Sequence, residues 1–263
     1  MTLAATLGPR LPARWLAYGI DVLYPRQEPE LARLEEICPP HGTALDVGAW
    51  YGPWSRCLAR RVDRVVAFEP VPEVCATLRC AVPPSVTVLD AAASDRGGDA
   101  RIWLADPGGR ESRGLTSLER RPGLHRQSLP VRRVAIDELE LSGVTFVKID
   151  VEGHETAVLR GARETVRRDR PNLFVEAEAR IQPVADITGL LRGWGYRAWV
   201  LPGEHWIPLG AFDLADHQRR FAHVVESGLV RRALRPRPRY VNSILFTPEE
   251  APGPPRTTNA ARR

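Results

Sequence analysis

Residues 43–52 read Thr43-Ala-Leu-Asp46-Val-Gly48-Ala-Trp50-Tyr-Gly52, and this stretch decides the fold. A short apolar run bounded by glycine on both sides is the pattern of a buried parallel strand. Gly48 and Gly52 allow a tight turn at its carboxyl end, before a helix over 54–61. From there the alternation is regular: strand 64–69, helix 72–80 and strand 86–90. It resumes with strand 144–150, helix 155–169, strand 173–176, helix 187–194 and strand 196–201, and a final strand covers 240–246. Strands alternating with helical patterns predict an α/β fold, a parallel sheet with helices on both faces.

Three segments depart from this rhythm. Residues 1–40 form an N-terminal helical extension, with helices expected over 14–23 and over 29–38. Within the main domain, 41–247, an insertion at 100–134 carries strands at 102–104 and 129–134. An irregular stretch at 202–239 is expected to cap the site. Residues 248–263, rich in proline and polar side chains, have the composition of a disordered tail.

Composition narrows the function. The 263 residues hold 37 Lys and Arg against 32 Asp and Glu, a net charge of +5. The positive charges are scattered in arginine pairs along the whole chain, interleaved with acids, so no basic stripe for nucleic acid is expected. No run of about twenty apolar residues predicts a membrane span. The first twenty residues carry too much proline and arginine for a secretory signal, which points to the cytoplasm. Cys38, Cys57, Cys75 and Cys80 lack zinc-type spacing and read as small buried hydrophobes. Lys148 is the only lysine of the chain; a compact ammonium kept where other cations are arginine is not interchangeable with them.

Three successive strand ends suit a nucleoside-type cofactor. Asp46, Gly48 and Gly52 belong to the loop after the first strand. Glu69, about twenty residues on, can accept hydrogen bonds from the vicinal hydroxyls of a ribose. The small residues of Asp90-Ala-Ala92-Ala-Ser-Asp95 leave room for a flat ring, and Asp95 could bond an exocyclic amine. The loop departs from the dinucleotide fingerprint and no P-loop lysine follows it, so a nucleoside without a pyrophosphate is expected.

With these pieces stand Gly114-Leu-Thr-Ser117-Leu, Val134-Ala-Ile-Asp-Glu-Leu139, Phe146-Val-Lys148-Ile-Asp150-Val-Glu152-Gly-His154-Glu155 and the stretch from Arg170-Pro171 to Glu176. In this order and spacing, the chain resembles the FkbM family of S-adenosylmethionine-dependent methyltransferases from about Thr43 to Glu178. The resemblance implies a Rossmann-like class I methyltransferase, a mostly parallel seven-stranded sheet whose last strand is antiparallel, and S-adenosylmethionine as cofactor. Trp50 and Tyr51 are bulkier than the family pattern after the glycine.

The reaction centre is expected at Lys148, Asp150, Glu152 and His154. Lys148 and Asp150 point to one side of a strand, and Asp150 lies at the carboxyl edge where open α/β sheets bind ligands. His154, whose imidazole titrates near neutrality, is the first choice of base. Asp150 is the second, or else it orients the cofactor or the acceptor. Glu155 reads as a helix N-terminal charge. Ser117 in the insertion, Glu152 and Glu176 are candidate substrate contacts. Asp150, Glu152 and Glu176 could together suit Mg²⁺, but no metal is expected. The function expected is methyl transfer to a hydroxyl of a small molecule, a sugar or a secondary metabolite. A nucleic-acid methyltransferase and a non-catalytic cofactor-binding module are the alternatives.

Overall fold

The computed structural model describes residues 24, 28–105, 116–120, 125–225 and 239–255. The expected helix over 14–23 and the Gly114-Leu115 half of one motif lie outside them. After a 3-10 turn (Leu31–Arg33) and the short α1 (Leu34–Ile37) come β1 (Thr43–Val47), α2 (Pro53–Leu58), β2 (Arg64–Phe68), α3 (Pro72–Ala81) and β3 (Val86–Leu89). A second group of strands follows: β4 (Ala92–Ser94), β5 (Gly98–Ala105), β6 (Thr116–Ser117) and β7 (His125–Ala135). The chain continues with β8 (Val144–Ile149), α4 (Glu155–Arg160), α5 (Arg163–Asp169), β9 (Asn172–Glu176), α6 (Val184–Gly193) and β10 (Tyr196–Val200). Next are β11 (Ile207–Pro208), α7 (Leu214–Val225) and β12 (Ser243–Pro248).

The main sheet has eight strands in the order β11-β10-β12-β9-β8-β1-β2-β3. Strands β3, β2, β1, β8 and β9 run parallel. Strand β12 inserts antiparallel between β9 and β10. The expected seven-stranded, mostly parallel sheet is therefore corrected to a mixed sheet of eight. The extra strand is β11, in the stretch expected to be irregular, where Ile207 and Pro208 pair with Val200 and Trp199.

Period-two alternation gives the sheet two buried faces. Leu45, Val66, Val147 and Leu173 pack on one side with Val158 and Leu159 of α4 and Ile187 and Leu191 of α6. Ala44, Ala67, Phe146 and Phe174 face the other, against Leu34, Ile37, Trp54, Leu58 and Leu78. Asp46 and Lys148 share the parity of this second face, so their polar groups are buried beneath α2.

The insertion is a sheet of its own, ordered β4-β7-β5-β6. It begins earlier than expected, at β4. This sheet also explains why the single helix expected over 155–169 is two. Asp137, just after β7, accepts hydrogen bonds from the backbone of Glu164 (3.0 Å) and Thr165 (2.9 Å), and so caps α5 from outside. Its own N–H donates to the carbonyl of Gly161 at the break. Residues 248–255, expected as the start of a disordered tail, are tied down: Arg170 pairs with Glu250 at 2.7 Å and the Glu249 N–H reaches the Gly195 carbonyl. Cys80 is exposed, unlike the buried Cys38 and Cys75. Among the described residues no helix is long and apolar enough to cross a membrane.

Candidate active site

The carboxyl ends of β1, β2 and β8 open into a cleft of about 210 Å³. Its first wall is the loop after β1. Gly48 adopts φ +80°, and a Cβ there would stand 1.9 Å from the Asp150 carbonyl oxygen, so the neighbouring strand end imposes glycine. Glu69 follows β2 and is 5% exposed; its carboxylate accepts the N–H groups of Trp50 (3.0 Å) and Val71 (2.8 Å). Burial pushes its pKa up to about 7 against the pull of those two amides. Ala91, Ala92 and Ala93 line the same cleft with minimal bulk. The Trp50 indole N–H is buried and has no acceptor among the described residues. Such a group costs about 1–3 kcal/mol unless something supplies one.

The floor is a chain of charges. Lys148 Nζ donates to Asp150 Oδ2 (3.1 Å) and the Gly48 carbonyl (3.3 Å), and stands 3.8 Å from Asp46 Oδ1. Burial opposes the Lys148 charge, but Asp150, Asp46 and Glu28 outweigh it and raise its pKa. Burial likewise opposes the Asp150 carboxylate, yet Lys148 and a hydrogen bond from Glu176 hold it below the usual range. Glu176 is driven the other way, by burial and then by the Asp150 charge, so the proton shared by the pair rests on Glu176. Asn242 donates to the same Glu176 carboxyl. The Asp150 side chain keeps 30% of its surface exposed, on the cleft side.

His154 precedes α4 and has both ring nitrogens engaged. Nε2 lies 2.9 Å from Ser94 Oγ, and Nδ1 lies 3.0 Å from Glu119 Oε1. A carboxylate only accepts, so Nδ1 donates to Glu119, while the Ser94 hydroxyl beside Nε2 also reaches Asp95 Oδ1 at 3.1 Å. Glu155 turns back on its own helix start, accepting the Gly153 N–H at 3.1 Å, and burial raises its pKa to about 7.

A family model for the methyltransferase FkbM domain matches residues 46–198. The chain belongs to the FkbM methyltransferase family. Among solved structures it is similar to methyltransferase FkbM from Methylobacillus flagellatus KT, at 16% identity and TM-score 0.47, over 79% of this chain and 43% of that one. The chain thus spans less than half the length of that protein. It is also similar to a precorrin-6y C5,15-methyltransferase from Geobacter metallireducens GS-15 (14% identity, TM-score 0.45, 84% and 87% covered). A Streptococcus mutans protein solved in complex with SAH is similar at 6% identity and TM-score 0.44, with 84% and 96% covered. No curated protein matches the sequence.

Within this FkbM domain, the expected residues divide into three groups. Gly48, Glu69, Ala92, Ser117, Lys148, Asp150, Glu152 and His154 line the cleft. Asp46, Gly52 and Glu176 stand behind it. Asp46 is fully buried and accepts Ser55 Oγ at 2.5 Å, so it supports Lys148 from behind. Gly52, at φ +79°, serves the turn into α2, where a Cβ would meet Leu78 at 2.5 Å. Asp90 and Asp95 are exposed and are not among the residues that line the cleft. The buried run Ala91–Ser94 ends before Asp95, whose carboxylate meets Ser94 and Arg96. Among the described residues no three metal-ligating side chains converge, and Asp150, Glu152 and Glu176 do not form such a group. Sequence reasoning missed Tyr24, Glu28, Ser94 and Glu119. Tyr24, Glu28 and Glu119 lie in no motif, and Ser94 lies in the quoted 90–95 stretch without a signal of its own; tertiary packing brings them in.

Proposed function

We propose that this FkbM-family chain is an S-adenosylmethionine-dependent methyltransferase acting on a hydroxyl of a small molecule. The residues present fit the cofactor. Glu69 would hold the ribose hydroxyls through the lone pairs its two amide partners leave free, Ala91–Ala93 would admit the adenine, and the Gly48–Trp50 loop would lie along the methionine end. When bound, S-adenosylmethionine supplies an activated methyl group on a sulfonium.

The observation that carries the acceptor reading is Asp150, open to the cleft between Lys148 and Glu176. Lys148 keeps it ionised, and the Glu176 proton keeps the pair at one negative charge. Asp150 would accept the hydrogen bond of the acceptor hydroxyl and would take its proton, made acidic as the oxygen gains the methyl group whose bond to sulfur breaks, so even a carboxylate of lowered pKa would suffice. His154, the first choice from sequence, has Ser94 and Glu119 against its two ring nitrogens, so Asp150 is preferred to it as the base. Glu69, Asp150 and Glu152 line the cleft against a single lysine that is already paired. That balance favours neutral or cationic acceptors over a phosphate polymer.

Transfer of a labelled methyl group from S-adenosylmethionine is the test, with panels of hydroxylated small molecules, bulk RNA and duplex DNA as acceptors. Label on small-molecule oxygen is expected. Label on nucleic acid alone would refute the acceptor reading and leave the methyltransferase standing.

A further inference from the structure

The family match begins at residue 46, yet one side chain of the cleft comes from well before it. Tyr24 lines the cleft beside Gly48, Trp50 and Asp150. Its ring centroid is 6.2 Å from that of Trp50, at a tilt of 39°. Its hydroxyl hydrogen-bonds Glu28, and the Glu28 N–H donates to the Tyr24 carbonyl at 3.0 Å. Glu28 is fixed in turn by Trp54, whose indole N–H donates to Oε2 at 2.5 Å. Trp54 is 1% exposed and packs on Phe146 and Phe174. A buried indole N–H needs a partner, and here an acid from the upstream segment provides it. The core of the sheet thereby anchors Glu28, and Glu28 anchors Tyr24.

We infer that Tyr24, held by Glu28, is a substrate-contacting residue of the methyl-transfer site, and that with Trp50 it forms the aromatic wall on the acceptor side. The inference rests on the cofactor reading above. Where Glu28 is ionised it can only accept, so the phenol proton turns to it. The phenol oxygen is left with a lone pair, so the wall offers a hydrogen-bond acceptor to a donor on the ligand, beside the carboxylate of Asp150. A hydroxylated or aminated ring meets both demands: its donors reach Tyr24 and Asp150 while its apolar face lies on Trp50. Trp50 and Tyr24 then answer one another, the bulk in the glycine loop matched by a ring from upstream.

Two ligands separate this role from a structural one. S-adenosylhomocysteine has no group at the methyl position. Sinefungin, a cofactor analogue, carries a primary ammonium there, so it reports the acceptor-side wall without a known substrate. Calorimetry of the full chain with each ligand should show Tyr24→Phe binding S-adenosylhomocysteine within twofold of wild type and sinefungin at least fivefold more weakly. Glu28→Gln, which retains an acceptor for Trp54, should shift the same ratio in the same direction. Melting curves confirm that each variant is folded, and the second variant serves if the first is not. Equal changes for both ligands, or no change for either, would overturn the inference while leaving the cofactor reading intact. A wild-type protein that binds neither ligand overturns both.

Discussion

Asp150 and Glu69 are two carboxylates of one cleft with opposite tuning, and the difference lies in their neighbours. Asp150 has an ammonium at 3.1 Å, whereas the burial of Glu69 is offset chiefly by two backbone amides, with Lys148 a smaller influence. Asp150→Asn removes the proton acceptor and the Lys148 partner while preserving shape. Turnover should fall by about a hundredfold or more, with S-adenosylhomocysteine affinity nearly unchanged by calorimetry; a parallel loss of affinity would assign Asp150 to the cofactor instead. For Glu69 the sign follows from its pKa of about 7 in the free protein. The ionised form accepts the ribose hydrogen bonds, so affinity is full above pH 7 and falls below it. S-adenosylhomocysteine should bind roughly tenfold more weakly at pH 6 than at pH 8, and Glu69→Gln should flatten that dependence. A slope that persists in the variant would assign the titration to another group.

Helix α4 meets strand β4 through a glycine. A Cβ at Gly161 would lie 1.9 Å from the Ser94 carbonyl oxygen, a backbone atom that cannot swing away. Gly161→Ala must therefore part the two elements, at a cost of about 1–3 kcal/mol for overpacking. The melting midpoint should drop by at least about 3 °C. Since Ser94 also holds His154, the same shift should loosen the β6 segment that ends at Glu119. Gly189 in α6 provides the contrast, because nothing lies within 4 Å of a Cβ there. Gly189→Ala should raise the midpoint slightly through helix propensity. A Gly161→Ala protein that melts with the wild type would mean that α4 and β4 are not locked together.

Across the whole molecule, Glu28, Glu69 and Glu155 are buried, and burial lifts each to a pKa of about 7. Their unfolded values lie near 4.5, so the folded protein holds their protons more tightly. The stability this gives is complete below about pH 4.5 and is lost as pH rises through about 7. Glu250, held down to about 2 chiefly by Arg170, acts only at more acid pH and does not disturb that window. The melting midpoint of the cofactor-free protein should therefore fall from pH 5 to pH 8. Added S-adenosylhomocysteine should restore much of it at pH 8, because a ligand of the folded state stabilises it by mass action. A midpoint that rises over that range would contradict the burial of these acids.

The parallel core was legible in the sequence because its signals are local. Strand β1 announces itself by an apolar run between glycines, and Glu69 by its place at the end of the next strand. Lys148 and Asp150 are read as neighbours from the period of a strand alone. What crosses between elements was not legible. Asp90 and Asp95 sit beside the alanines of the cleft in sequence, yet both are exposed while residues 91–94 are all buried. His154 reads as a candidate base from sequence, and only the fold shows Ser94, sixty residues away, and Glu119, thirty-five away, beside its nitrogens. Two-residue β11 is too short to show a period, and the break between α4 and α5 is met by Asp137, just past β7 of the other sheet. Tyr24 reaches the cleft only because Trp54 fixes Glu28. Local pattern determined the strands and the strand-end chemistry; the partners of each buried polar group were decided by tertiary packing, since a hydrogen bond between distant segments leaves no periodic mark on either.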